Sequence, residues 1–186
     1  MNPKLWWYVA RSAGLVSWWL VALSVFWGLF LSTRVMQKRP TPAWLLDLHR
    51  WFAALAVTFV GVHMVGLVAD NYVHFGLSEL FVPLASKWHP GPVAWGVVSL
   101  YVLAAIEISS LLMRRIPRKW WKAIHSSSFV LFVMSTIHAF TAGTDHGNHA
   151  VQWSAFAMTG IFIFLTTYRQ LAPRRGAGRK TAPAVS

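Results

Sequence analysis

The stretch "LHRWFAALAVTFVGVHMVG", Leu48 to Gly66, sets one histidine near each end of a run that is almost wholly apolar. An imidazole in hydrocarbon is costly unless something satisfies its nitrogens. Either this run lies outside a membrane, or His49 and His63 each have a partner.

Composition decides the first question. Of 186 residues, 56% are hydrophobic and only 12% are charged, and twelve are tryptophans, a balance far from that of soluble domains. Several windows exceed the ~18 apolar residues that suggest a membrane-spanning helix: Gly14 to Ser32, Trp51 to Ala69, Ala94 to Met113, Ser126 to Ala142 and Val151 to Thr167. The chain therefore reads as an all-α, multi-pass helix bundle of five spans in a cell membrane. The first run lies deep in the chain and lacks a small-residue cleavage site, so it is expected to stay in the mature protein rather than act as a signal peptide.

Three segments follow: an aromatic, interfacial segment over 1–13, the membrane domain over 14–168, and a basic tail over 169–186. The tail is rich in Gly, Pro and Arg, has no periodic apolar face, and is expected to be disordered. The outer connection "DNYVHFGLSELFVPLASKWHPGP" is expected to carry a surface-lying piece at Leu80, Phe81, Val82 and Leu84.

The net charge of +12 raises nucleic acid as a partner, but its distribution points to a membrane. Arg34, Lys38, Arg39 and Arg50 flank the first loop; Arg114, Arg115, Arg118, Lys119 and Lys122 fill the third; Arg169, Arg174, Arg175, Arg179 and Lys180 form the tail. These fourteen of the seventeen basic residues fall on one side, as the positive-inside rule requires of a cytoplasmic face. The N-terminus is then outside and the C-terminus cytoplasmic. Such clusters also suit anionic lipid headgroups, and no nucleic-acid partner is expected.

The absence of cysteine excludes disulfides, iron–sulfur clusters, thiolate metal sites and covalent haem attachment. No GxGxxG, P-loop or zinc signature is present.

What remains is a histidine constellation. His49 and His63 lie on the second span, and His125 and His138 on the fourth. Fourteen residues at ~1.5 Å each separate the first pair by ~21 Å and return the second ring within ~40° of the first. Thirteen residues separate His125 from His138 by ~20 Å but leave an ideal-helix offset of ~140°. One face then requires irregular backbone or a bend near Ser126, Ser127 and Ser128.

The two spans run in the same direction through the bilayer, so His49 matches His125 in depth near the cytoplasmic face, and His63 matches His138 near the outer face. Two neutral imidazoles approaching one plane from opposite sides are what a six-coordinate b-type haem requires. Two haem b groups, held axially by His49 with His125 and by His63 with His138, make a transmembrane electron route. Phe132, about midway between the histidines of its helix, is placed to fill the space between them. Zinc is a poorer occupant, because its ligands must converge on one ion at ~2.1 Å.

The stretches "HRWFAALAVTFVGVH" and "RKWWKAIHSSSFVLFVMSTIH" resemble the histidine-bearing helices of ferric reductase-like transmembrane domains. These occur in ferric reductases, NADPH oxidases and the haem-binding membrane subunit of the bacterial methionine sulfoxide reductase system. The resemblance spans roughly Gly14 to Arg169 and implies two b haems, with His49, His63, His125 and His138 as axial ligands. The family usually has six helices, whereas five are countable here. No FAD or NAD(P) domain of the oxidase kind follows Thr167, so the chain is expected to be the membrane component of an oxidoreductase. Electrons would come from a separate flavoprotein reductase or from quinol and pass to an outer acceptor such as ferric iron or a protein. A non-redox membrane scaffold is the alternative of another class.

Other residues stand out. Arg50 adjoins His49 and Lys122 lies one turn before His125, each placed to neutralise a haem propionate. Glu107 is an acid well inside a span, suited to proton transfer or quinone binding, or to pairing with a loop arginine. His74, His89, His146 and His149, with Asp145, are candidates for an outer ferric or cupric site.

Overall fold

A computed structural model describes residues 4–32, 43–71, 75–145 and 147–171. Its elements are α1 (Leu5–Ser32), α2 (Ala43–Ala69), α3 (Leu77–Phe81), α4 (Pro90–Leu111), α5 (Arg118–Ser126), α6 (Ser128–Thr141) and α7 (His149–Leu171). Only helices close all their backbone hydrogen bonds within one apolar segment. Among the described residues, five segments are long and apolar enough to cross a membrane, with α5 and α6 together forming the fourth. The basic residues Arg34, Lys38 and Arg39, the tail beyond Leu171, His74 and His146 lie outside the described residues.

The first span begins at Leu5 rather than Gly14. The aromatic N-terminal stretch continues the helix, so residues 5–13, expected as a separate segment, are the opening turns of α1. They carry Ala10, which is buried against α2, where a Cβ on Gly66 would meet its backbone.

Helix α1 is the centre of the bundle, packing on α2, α6 and α7, while α4 packs on α6. Its buried stripe of Trp18, Val21, Ala22, Val25, Phe26 and Leu29 meets Ala56, Leu103, Ile106, Leu131, Phe132, Met158 and Leu165. Indole N–H groups tie the helices together, Trp18 donating to Thr136 Oγ1 at 2.9 Å and Trp27 to the Leu45 carbonyl at 2.8 Å. Hydroxyls inside the spans donate to their own helix, as Thr58 does to Ala54 and Ser99 to Trp95, which removes the cost of an unpaired polar group in lipid. Large apolar side chains such as Trp153 and Phe164 face outward, 72% and 67% exposed, as expected of a lipid-facing surface.

The outer connection forms the short helix α3. Leu80 turns inward with Phe75, Val93 and Val97, against Met64, Leu67 and Trp88, while Phe81, Val82 and Leu84 remain exposed.

The fourth span is broken at Ser127, whose N–H and hydroxyl both bond the Ile124 carbonyl, at 3.0 and 2.6 Å. Across this break His125 and His138 both meet histidines of α2, so the ~140° offset expected of an unbroken ideal helix does not keep them apart.

Candidate functional site

Helices α2 and α6 do not pack closely on one another; their histidines meet across the space between them. The His63 and His138 ring centres are 6.4 Å apart and the His49 and His125 centres 6.0 Å, with the rings inclined at 78° and 72°. Imidazoles in hydrocarbon have no reason to stop at this distance for each other's sake, since they make no hydrogen bond together. A ring centre lies about 1 Å inside its nitrogen and a metal–nitrogen bond is about 2 Å, so two ligands trans across one metal ion would set ring centres about 6 Å apart. Both pairs fit that requirement.

Three of the four rings are held through Nδ1 by backbone carbonyls. His63 donates to the Ala10 carbonyl at 2.7 Å, His138 to the Pro92 carbonyl at 2.9 Å and His49 to the Ser24 carbonyl at 3.0 Å. Donation from Nδ1 fixes the neutral tautomer in which Nε2 is the free lone pair, the state a metal-ligating histidine needs.

A glycine makes room for each of these three rings. A Cβ at Gly14 would lie 2.9 Å from the His63 ring, one at Gly28 3.3 Å from His49, and one at Gly96 2.5 Å from His138. In every case the glycine follows the accepting carbonyl by four residues: Ala10 with Gly14, Ser24 with Gly28, Pro92 with Gly96. One turn of helix thus presents a carbonyl to the ring nitrogen and a bare backbone to the ring face. On α1 the motif recurs after fourteen residues, matching the spacing of His49 and His63 on the antiparallel α2. The equal spacing of Gly14 and Gly28 was visible in the sequence, yet it acquires meaning only once the α1–α2 register is known.

The His63–His138 pair borders a cavity of about 290 Å³ lined mostly by apolar groups, including Trp18, Val21 and Leu131, near the lower end of the ~300–1,000 Å³ usual for ligand sites. Arg11 and Asp145 also line it and form a two-pronged ion pair that ties α1 to the α6–α7 connection. The Arg11 guanidinium stacks over Trp7 at 4.7 Å.

The His49–His125 pair is held differently. His125 has only the Ser110 hydroxyl, at 3.5 Å, on its Nδ1. Its ring is stacked instead on Trp121, with centres 5.0 Å apart and planes at 21°.

Phe132 is fully buried between the two levels, against Phe26 at 5.9 Å and Phe162 at 4.8 Å. Arg50 is exposed and paired with Asp47 at 3.2 Å, and Lys122 is exposed on α5; no bond links either to a histidine. Glu107 is half-buried on α4 and makes no ion pair among the described residues, so the expected loop arginine is not at its side. Among the described residues no three histidine or acidic side chains converge on a point, and Asp145 is already committed to Arg11. His89 and His149 are therefore not gathered into a three-donor metal site.

Comparison with known proteins gives one finding. A family model described as the ferric reductase like transmembrane component matches residues 13–136, two-thirds of the chain. The match contains His49, His63 and His125 and ends two residues before His138. No curated protein and no solved structure matches.

Proposed function

The chain belongs to the ferric reductase like transmembrane component family, which implies transmembrane electron transfer, and from that premise we propose that it uses two b-type haems, one per histidine pair. The observation that carries this proposal is the repeated geometry: two imidazole pairs at ring separations of 6.0 and 6.4 Å, with Nδ1 of three of the four rings donating to a backbone carbonyl. When bound, a haem supplies a one-electron carrier. The protein's own residues do the rest. His49, His125, His63 and His138 would hold the haems through their Nε2 atoms, and the Ser24, Ala10 and Pro92 carbonyls hold three of those rings in the ligating tautomer. Gly14, Gly28 and Gly96 let the backbone approach those three rings closely. Phe26, Phe132 and Phe162 exclude water from the core between the levels.

The His49–His125 end carries the exposed residues Arg114, Arg115, Arg118 and Lys119 on the α4–α5 connection and the start of α5. We assign this end to the cytoplasm, where basic residues accumulate. A separate acidic flavoprotein reductase is the proposed donor, drawn by that charge, and the His63–His138 end delivers electrons to an outer acceptor such as ferric iron. Arg11 and Asp145 stand where the acceptor side of that cavity meets the helix ends.

Haem-loaded protein in liposomes tests the proposal. NADPH with a soluble flavin reductase on the basic side should reduce ferric citrate on the other side. NADPH alone should not, because no flavin is present to split a hydride into single electrons. Turnover with a quinol but not with the flavoprotein would replace the donor while keeping the conduit. Absence of a Soret band after expression with ample haem would leave a non-redox scaffold.

A further inference from the structure

Trp121 is the residue whose chemistry the fold leaves unused. Its Nε1 is buried and has no hydrogen-bond partner, the one such side-chain nitrogen or oxygen among the described residues. An indole N–H is a donor only, and a buried donor without an acceptor costs about as much as a lost hydrogen bond, so its persistence against the ring of a candidate ligating histidine points to an acceptor that the protein does not itself supply. The indole lies flat on His125, one turn earlier on α5. That ring is also the weakly tethered one, its 3.5 Å contact with Ser110 comparing with 2.7 to 3.0 Å for the carbonyl bonds of the other three.

We infer that Trp121 is a positioning and anchoring residue of the His49–His125 centre: its ring face orients His125, and its Nε1–H donates to an anionic carboxylate on the edge of the haem held there. This rests on that pair being a haem site. Two observations support it beyond the orphan nitrogen, and the burial of that nitrogen adds strength to the bond. The i, i+4 spacing puts both rings on one face of α5. The charged neighbours are turned elsewhere, Arg50 to Asp47 and Lys122 to the exposed face. The nitrogen is desolvated, so a carboxylate accepting from it forms a charge-assisted bond of above-average strength.

The test is a cycle of two proteins and two haems. Wild-type protein and Trp121→Phe, which keeps an aromatic face and loses the N–H, are each loaded with haemin or with haemin dimethyl ester, whose carboxylates are blocked. Transfer of haem to excess apomyoglobin and the midpoint potential of each centre are followed. With haemin, Trp121→Phe should lose haem from one centre about tenfold faster or more, and that centre should shift to lower potential, because a less neutralised carboxylate favours ferric iron. With the ester the difference between the proteins should be at least about threefold smaller, as neutral hydrogen bonds are weaker. The other centre, unchanged in the same molecule, reports that the variant is folded. Trp121→Leu, which also removes the stacking face, should in addition broaden the low-spin signal of that centre. An equal effect with haemin and its ester would overturn the anchoring role, as would no effect at all. A wild-type protein that binds no haem would overturn the underlying assignment instead.

Discussion

The His63–His138 and His49–His125 pairs reach nearly the same ring separation by different means. At the first, both imidazoles are clamped by backbone: a carbonyl on Nδ1, a glycine against the ring face, and an ion pair of Arg11 with Asp145 lining the same cavity. At the second, only His49 has that clamp, and His125 depends on a hydroxyl and an indole. Backbone clamps are rigid because moving them means moving a helix. Side-chain supports yield more easily. The first pair is therefore built to hold its geometry and the second to adapt, which under the proposed function suits the end where the donor would dock.

The largest expected effect breaks one centre outright. His63→Ala and His138→Ala should each remove the same centre, leaving about one haem per chain, and His49→Ala and His125→Ala should remove the other. Pyridine haemochrome counts check this, and the double variant His63→Ala/His138→Ala should lose no more than either single change. Two haems remaining in either single variant would dissolve the pairing.

A graded effect sharpens the comparison. Alanine at Gly96 drives a Cβ to 2.5 Å from His138, at Gly14 to 2.9 Å from His63, and at Gly28 to 3.3 Å from His49. Gly96→Ala should cost about 1–3 kcal/mol of haem affinity or stability, as overpacking does. Gly14→Ala should cost less, and Gly28→Ala should stay within about 0.5 kcal/mol of wild type, since the helix gains from losing a glycine. Haem dissociation rates for the three variants should follow that order; Gly28→Ala as the most damaging would reverse the contrast between the ends.

The ion pair comes next. Asp145 is buried while Arg11 is one-third exposed, so Asp145→Asn should destabilise by about 1–3 kcal/mol, less than a fully buried pair would lose. The change should appear in the potential and haem retention of the His63–His138 centre alone. An equal response at both centres would show that the pair serves the bundle at large. The smallest effect is a control: a Cβ at Gly61 meets nothing within 4 Å, so Gly61→Ala should raise thermal stability by about 0.5–1 kcal/mol and leave both centres unaltered.

Much of this was legible in the chain. Hydropathy located five spans, and the fourteen-residue interval put His49 and His63 on one face of α2, because straight helices preserve phase. His125 and His138 resisted that logic, since phase is lost across a break, and the local bonds of Ser127 to Ile124 do not announce one in the sequence: Ser17 and Ser109 bond carbonyls three residues back inside unbroken helices. The start of α1 at Leu5 was hidden because an aromatic interfacial stretch and a first helical turn look alike in composition. The supports of the rings were hidden for another reason. Carbonyl clamps come from backbone, which every residue has, and the glycines that permit them stand on helices distant in sequence. Beside His49 and His125 the sequence advertised charge, at Arg50 and Lys122, whereas packing placed Trp121 against the ring.

The central claim is that one chain holds two bis-histidine haems at opposite ends of the bundle. Haem quantification combined with low-temperature electron paramagnetic resonance on the purified oxidised protein tests it most directly. About two haems per chain, both low-spin, with one resonance lost in His138→Ala and the other in His125→Ala, is the predicted result. A single haem, a high-spin centre, or loss of the same resonance in both variants would contradict it.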